Sequence, residues 1–126
     1  MQEGKTILLV DDDLTLREMY EERMKAEGFN ILQATNGEEA LQKIRESKPD
    51  VILLDIMMPK VNGFDVLKEL KADPELKSIP VIVLTALIQD VDRVQGKKLG
   101  AVDYIVKSET MPGEVIAKIK NAIGQK

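Results

Sequence analysis

The chain has 126 residues, 44% hydrophobic and 32% charged with both signs interspersed, which implies one globular domain and excludes disordered and fibrous architectures. A formal charge of −4 with no run of Lys or Arg argues against a nucleic-acid surface, and the lack of Cys excludes disulfides, thiolate zinc sites and cysteine nucleophiles. The lack of His excludes a phosphohistidine donor, a histidine-assisted nucleophile and an imidazole ligand, so the chemistry must come from oxygen and amine groups.

The first apolar run, residues 6–10, predicts a strand. It ends in Asp11, Asp12 and Asp13, of which Asp13 reads as the N-cap of a helix beginning at Leu14. Leu16, Met19, Tyr20 and Met24 recur at helical spacing and predict that helix's core stripe, with Gly28 as its C-cap glycine. A more mixed strand is expected over 30–34, then a helix with Ala40, Leu41 and Ile44 inward. Residues 51–54 are continuously apolar, as in a central parallel strand buried on both faces, and Asp55 follows. Val66, Leu67 and Leu70 predict the third helix; residues 81–84 predict the fourth strand, followed by Thr85. The fourth helix, over 90–99, is the weakest: its stripe is thin, and Gly96 costs about 1 kcal/mol relative to Ala. The last strand is expected over 102–106, followed by Lys107. A helix then starts near Pro112 with Thr110 as cap, carries Val115, Ile116, Ile119, Ala122 and Ile123 inward, and has Gly124 as its C-cap glycine.

The five βα units predict an α/β fold: a doubly wound, flavodoxin-like three-layer sandwich with parallel strand order 2-1-3-4-5, since a barrel needs eight units and about 250 residues. Ligands bind such sheets beyond the carboxyl ends of the strands. The polar residues at those ends are Asp11 and Asp12, Asp55, Thr85 and Lys107. Singly, each has an ordinary reading as a cap, turn residue or solvated charge. Together they end four adjacent strands on one rim.

Three carboxylates about 5 Å apart repel by roughly 3 kcal/mol per pair at an effective dielectric near 20. One lysine cannot offset that. Either a carboxylate holds a proton or a hard divalent cation sits among them, and oxygen-only ligands favour Mg²⁺, with Mn²⁺ as the alternative. A metal, an ammonium and a hydroxyl together suit phosphoryl oxygens. Asp55, facing the pair from the first strand, is then the natural acceptor nucleophile.

Four segments, in this order and spacing, resemble the receiver (CheY-like) domain of bacterial two-component response regulators. They are Ile7-Leu-Leu-Val-Asp-Asp-Asp13, Leu53-Leu-Asp-Ile-Met-Met-Pro59 with Gly63, Val83-Leu-Thr-Ala86, and Gly100-Ala-Val-Asp-Tyr-Ile-Val-Lys107. The resemblance covers essentially the whole chain and implies one receiver domain over residues 1–126 without an output domain. It implies that Asp11 and Asp12 hold Mg²⁺, that Asp55 is both ligand and phosphorylated residue, and that the backbone carbonyl of Met57 completes the protein's share. Lys107 would pair with the acceptor carboxylate and then with the phosphoryl group, and Thr85 would donate its hydroxyl to that group. Tyr104 would turn inward as Thr85 moves, changing the face made by the fourth helix, fifth strand and fifth helix.

The implied partners are a sensor histidine kinase or histidine phosphotransfer protein and a downstream protein target, with no nucleic acid and no membrane. The implied setting is the cytoplasm, and the implied state a monomer or a weak phosphorylation-dependent dimer. On this reading the chain is not an enzyme beyond its own phosphorylation and dephosphorylation.

Ser108 stands where many receivers have a cis proline, and a cis bond before a non-proline residue costs roughly 2.5 to 4 kcal/mol. Met57 and Leu87 are apolar where the family's side chains influence the hydrolytic water, which predicts slow phosphoryl loss. Two other readings stand beside this one. Asp11-Asp-Asp-Leu-Thr15 matches the first motif of haloacid-dehalogenase-type phosphatases, with Asp11 as nucleophile. A receiver-like or designed binding scaffold would keep the fold without being phosphorylated.

Overall fold

Ile7, Leu8, Leu9 and Val10 are all fully buried, as expected of a strand covered on both faces. In the computed structural model, which describes residues 4–55, 63–85, 98, 100–106 and 112–124, they lie in β1 (Thr6–Val10), beside β2 (Asn30–Ala34) and β3 (Val51–Asp55). β4 (Val81–Thr85) and β5 (Asp103–Val106) complete a parallel sheet of order β2-β1-β3-β4-β5. The predicted order holds, and the two mixed strands, β2 and β5, are the edges.

Alternation along the strands divides the core in two. Leu8, Val10, Ile52, Leu54, Val81 and Val83 pack with α2 (Gly37–Ser47) and α3 (Gly63–Ala72) on one face. Ile7, Leu9, Val51, Leu53, Ile82, Leu84 and Ile105 pack on the other with α1 (Leu14–Ala26) and the last helix (Pro112–Gly124). The result is a three-layer flavodoxin-like sandwich.

The strands differ from expectation by one residue at three ends. β3 and β4 each run one residue further, because Asp55 still pairs with Leu84 and Thr85 with Val106. Val102 falls outside β5: its N–H bonds the Val81 carbonyl at 2.9 Å, but its side chain is 49% exposed.

Asp13 caps α1 as expected, its carboxylate accepting the Leu16 N–H at 3.2 Å. The stripe of α1 needs correction. Met19 is 49% exposed and Arg17 is buried instead, because Arg17, Tyr20 and Met24 follow one another at spacings of three and four, whereas Met19 sits a residue off that line. Gly28 takes a φ of 95° after the Glu27 C-cap, the left-handed conformation that favours glycine. Gly124 does not follow its helix; it is the final helical residue and lacks a positive φ.

The inward residues expected for α2 and α3 are buried, as are Val115, Ile116, Ile119 and Ile123 of the last helix. The helix expected over 90–99, with Gly96, lies outside the described residues apart from Lys98, which is helical. Among the described residues no helix is long and apolar enough to cross a membrane.

Candidate functional site

Parallel pairing of β1 with β3 sets Val10 opposite Leu54, so the residues that follow, Asp11 and Asp55, emerge side by side at the carboxyl rim. Both are buried, whereas Asp12 is exposed. One carboxylate oxygen from each of Asp11, Asp12 and Asp55 lies within 4.8 Å of the others. Three residues at the carboxyl ends of two neighbouring strands thus form the acidic cluster that their sequence positions predict.

Backbone and cap bonds hold Asp11. Its N–H donates to the Ala34 carbonyl at 3.1 Å, prolonging the β1–β2 ladder by one bond, and its Oδ1 accepts the Asp13 N–H at 2.9 Å. The second bond ties the Asp11 carboxylate to the start of α1. Asp13 serves that helix rather than the cluster, since its own carboxylate is turned to Leu16.

One residue of this site was not anticipated. Arg17 is only 8% exposed; its Nη1 donates to the Asp11 carbonyl at 3.0 Å and its Nε to Gln33 Oε1 at 3.1 Å. Its signal in the sequence was its place on the Tyr20 and Met24 stripe, where a charge is out of character. The neighbouring β2–α2 turn is built by a reciprocal cap. Asn36 Oδ1 accepts the Glu39 N–H at 2.9 Å, and Glu39 Oε1 accepts from the Thr35 N–H at 2.6 Å and the Thr35 hydroxyl at 3.0 Å. The bond from the Thr35 amide is the main reason the Glu39 carboxyl is held below its usual range.

Thr85 ends β4, in register with Val106, so its backbone joins the same rim two strands from β1; its side chain lies outside the description. Met57, Leu87, Lys107 and Ser108, with the Lys107–Ser108 bond, also fall outside the described residues. Tyr104, opposite Val83 in β5, is half-buried against the α2 and α3 face of the core.

The carboxylates fit a hard cation. All donors in the cluster are oxygens, and two of the three acids are buried, where clustered negative charge is most costly without a counter-ion. Asp11, Asp12 and Asp55 are the residues that would hold such an ion, whose positive charge would offset their mutual repulsion.

Residues 7–120 match the family described as the response regulator receiver domain. A probable transcriptional regulator, ycf27, of Guillardia theta is 40% identical over 120 residues, covering 95% of this chain and 46% of that protein. The CpxR homolog of Haemophilus influenzae, named a transcriptional regulatory protein, is 46% identical over 114 residues, covering 90% of this chain and 48% of its own. The chain therefore spans about half the length of these curated relatives. A crystal structure of a putative response regulator from Chloroflexus aurantiacus superposes with a TM-score of 0.91 at 33% identity, over 98% of this chain and 100% of that one.

Proposed function

The chain belongs to the response regulator receiver domain family of two-component systems, and from that premise we propose that Asp55 is its phosphoryl acceptor and that Asp11, Asp12 and Asp55 hold the Mg²⁺ the reaction needs. The observation that carries this reading is the three-carboxylate cluster at the carboxyl ends of β1 and β3. Bound there, Mg²⁺ would offset the carboxylate repulsion and the negative charge of an incoming phosphoryl group.

The chain's own residues do the rest. An Asp55 carboxylate oxygen attacks the phosphorus of a phosphohistidine on another protein. The new O–P bond forms as the P–N bond breaks, and the departing imidazole keeps the nitrogen electron pair and takes a proton. These 126 residues contain no histidine, so the phosphohistidine lies outside them, and receiver domains pair with histidine kinases. Lys107 and Thr85, which follow and end β5 and β4, are assigned to the phosphoryl oxygens, the Met57 carbonyl to the metal, and Tyr104 to the switch that a downstream protein reads. The half-buried Tyr104 ring has both core and solvent beside it, as such a switch requires.

The haloacid-dehalogenase reading has no support among the related proteins. Its second acid, Asp13, is engaged as the α1 cap. The unphosphorylated scaffold gains none either.

Incubation with a phosphorylated sensor kinase and Mg²⁺ tests the assignment. Transfer of one phosphoryl group to the wild type, lost on chelation and in Asp55→Asn, is expected. Undiminished transfer to Asp55→Asn would refute it.

A further inference from the structure

The peptide bond joining Asp11 to Asp12 is a rigid plane, so whatever fixes the Asp11 carbonyl also fixes the nitrogen and Cα of Asp12. That carbonyl lies just beyond β1 and is held by a side chain: Arg17 Nη1 donates to it at 3.0 Å in a buried contact. On the other side, the Asp11 N–H is anchored to the Ala34 carbonyl at 3.1 Å. Asp12 itself is exposed, and among the described residues no hydrogen bond fixes its side chain. Its place within 4.8 Å of the other two carboxylates is therefore set through its backbone.

Arg17 is held in turn. Its Nε donates to Gln33 Oε1 at 3.1 Å. The Gln33 carbonyl accepts from Lys43 of α2, which pairs with Glu39 at 3.7 Å. The guanidinium thus bridges the end of β1 to β2 through two donors of one planar group, which a lysine cannot reproduce. For stability alone a buried cation is a poor choice, because an apolar side chain of similar volume is often neutral or better.

We infer that Arg17 is a positioning residue for the metal site, its guanidinium orienting the Asp11–Asp12 peptide so that the Asp12 carboxylate stands where a divalent ion shared with Asp55 requires it. The inference rests on the reading of the cluster as a divalent-ion centre. Supporting contacts of this kind are commonly worth 10- to 100-fold in metal affinity.

The test is a Mn²⁺ titration followed by the paramagnetic resonance of the free ion, on the wild type, Arg17→Met, Arg17→Lys and Asp55→Ala, with metal-free melting curves for each. Ile44→Val, in α2 on the opposite face of the sheet from α1, serves as a control for stability loss alone. The expected result is about tenfold weaker Mn²⁺ binding in both Arg17 variants, with Ile44→Val binding like the wild type however far its melting point falls. Amide spectra should show the Asp12 resonance displaced in Arg17→Lys before metal is added. If Arg17→Lys, folded and melting like the wild type, binds Mn²⁺ as tightly as the wild type, the inference is overturned while the metal site stands. If the wild type shows no saturable binding, or Asp55→Ala binds equally well, the metal reading fails and takes this inference with it.

Discussion

The two rims of the sheet carry charge in opposite ways. At the amino rim, Asp50 and Lys71 are matched to backbone. Asp50 Oδ2 accepts the Thr6 N–H at 2.7 Å, and the Lys71 ammonium donates to the carbonyls of Lys77 at 2.9 Å and Ile79 at 3.4 Å. Partial burial in that role pushes the Lys71 ammonium below its usual range. At the carboxyl rim, three carboxylates, two just beyond β1 and one ending β3, crowd within 4.8 Å of one another. Charges that complete a turn or a ladder stabilise the fold; like charges gathered at strand ends weaken it and are understood through what they bind.

The comparison can be broken by substitution on either side. The largest effect expected is in function: Asp55→Asn should abolish phosphoryl transfer altogether while leaving circular dichroism and melting cooperative. At the amino rim, Asp50→Ala leaves a half-buried N–H without its acceptor and should cost about 1–3 kcal/mol in urea unfolding. Gly100→Ala should cost a similar amount, roughly 1–3 kcal/mol. Gly100 has a φ of 100°, and an added Cβ would stand 2.8 Å from Lys71 Cε, pushing that side chain from its carbonyls. Neither change should alter Mn²⁺ affinity, so a loss of metal binding in Asp50→Ala would erase the distinction between the rims.

At the carboxyl rim the sign reverses. Asp12→Asn relieves repulsion and should raise metal-free stability by about 1 kcal/mol, less than the full Coulomb value because Asp12 is exposed. Added Mg²⁺ should raise the melting point of the wild type more than that of Asp12→Asn. The smallest effect is in acid. Glu27 is held below its usual range chiefly by its hydrogen bond from Lys120, and Glu39 chiefly by the Thr35 amide. A carboxyl depressed in the folded state contributes stability above its unfolded value, near pH 4.3, and loses it as pH falls through the folded value. Glu39→Gln should therefore flatten the fall in stability below about pH 4.3.

The sheet was legible because three of its five strands, β1, β3 and β4, announce themselves by nearly continuous apolar runs, and because order 2-1-3-4-5 follows from five βα units. The acidic cluster was legible for the same reason: once β1 and β3 are neighbours, Asp11 and Asp55 have nowhere else to be. Arg17 was not. Periodicity reads apolar character, so it placed the exposed Met19 on the α1 stripe and passed over a guanidinium that is buried because two hydrogen bonds satisfy it. Strand ends were uncertain by one residue because Asp55 and Thr85 are polar yet still pair in the ladder, whereas Val102 is apolar yet stands 49% exposed outside it. The Asn36 and Glu39 cap went unnoticed, although its spacing of three is a recognisable start signal.

Locating the phosphoryl group tests the central claim most directly. The wild type, treated with acetyl phosphate and Mg²⁺, is trapped by borohydride reduction of the acyl phosphate and mapped by peptide mass spectrometry. A single modification at Asp55, absent when Mg²⁺ is chelated, is the predicted result. Modification at Asp11, or none under conditions that label another receiver, would contradict it.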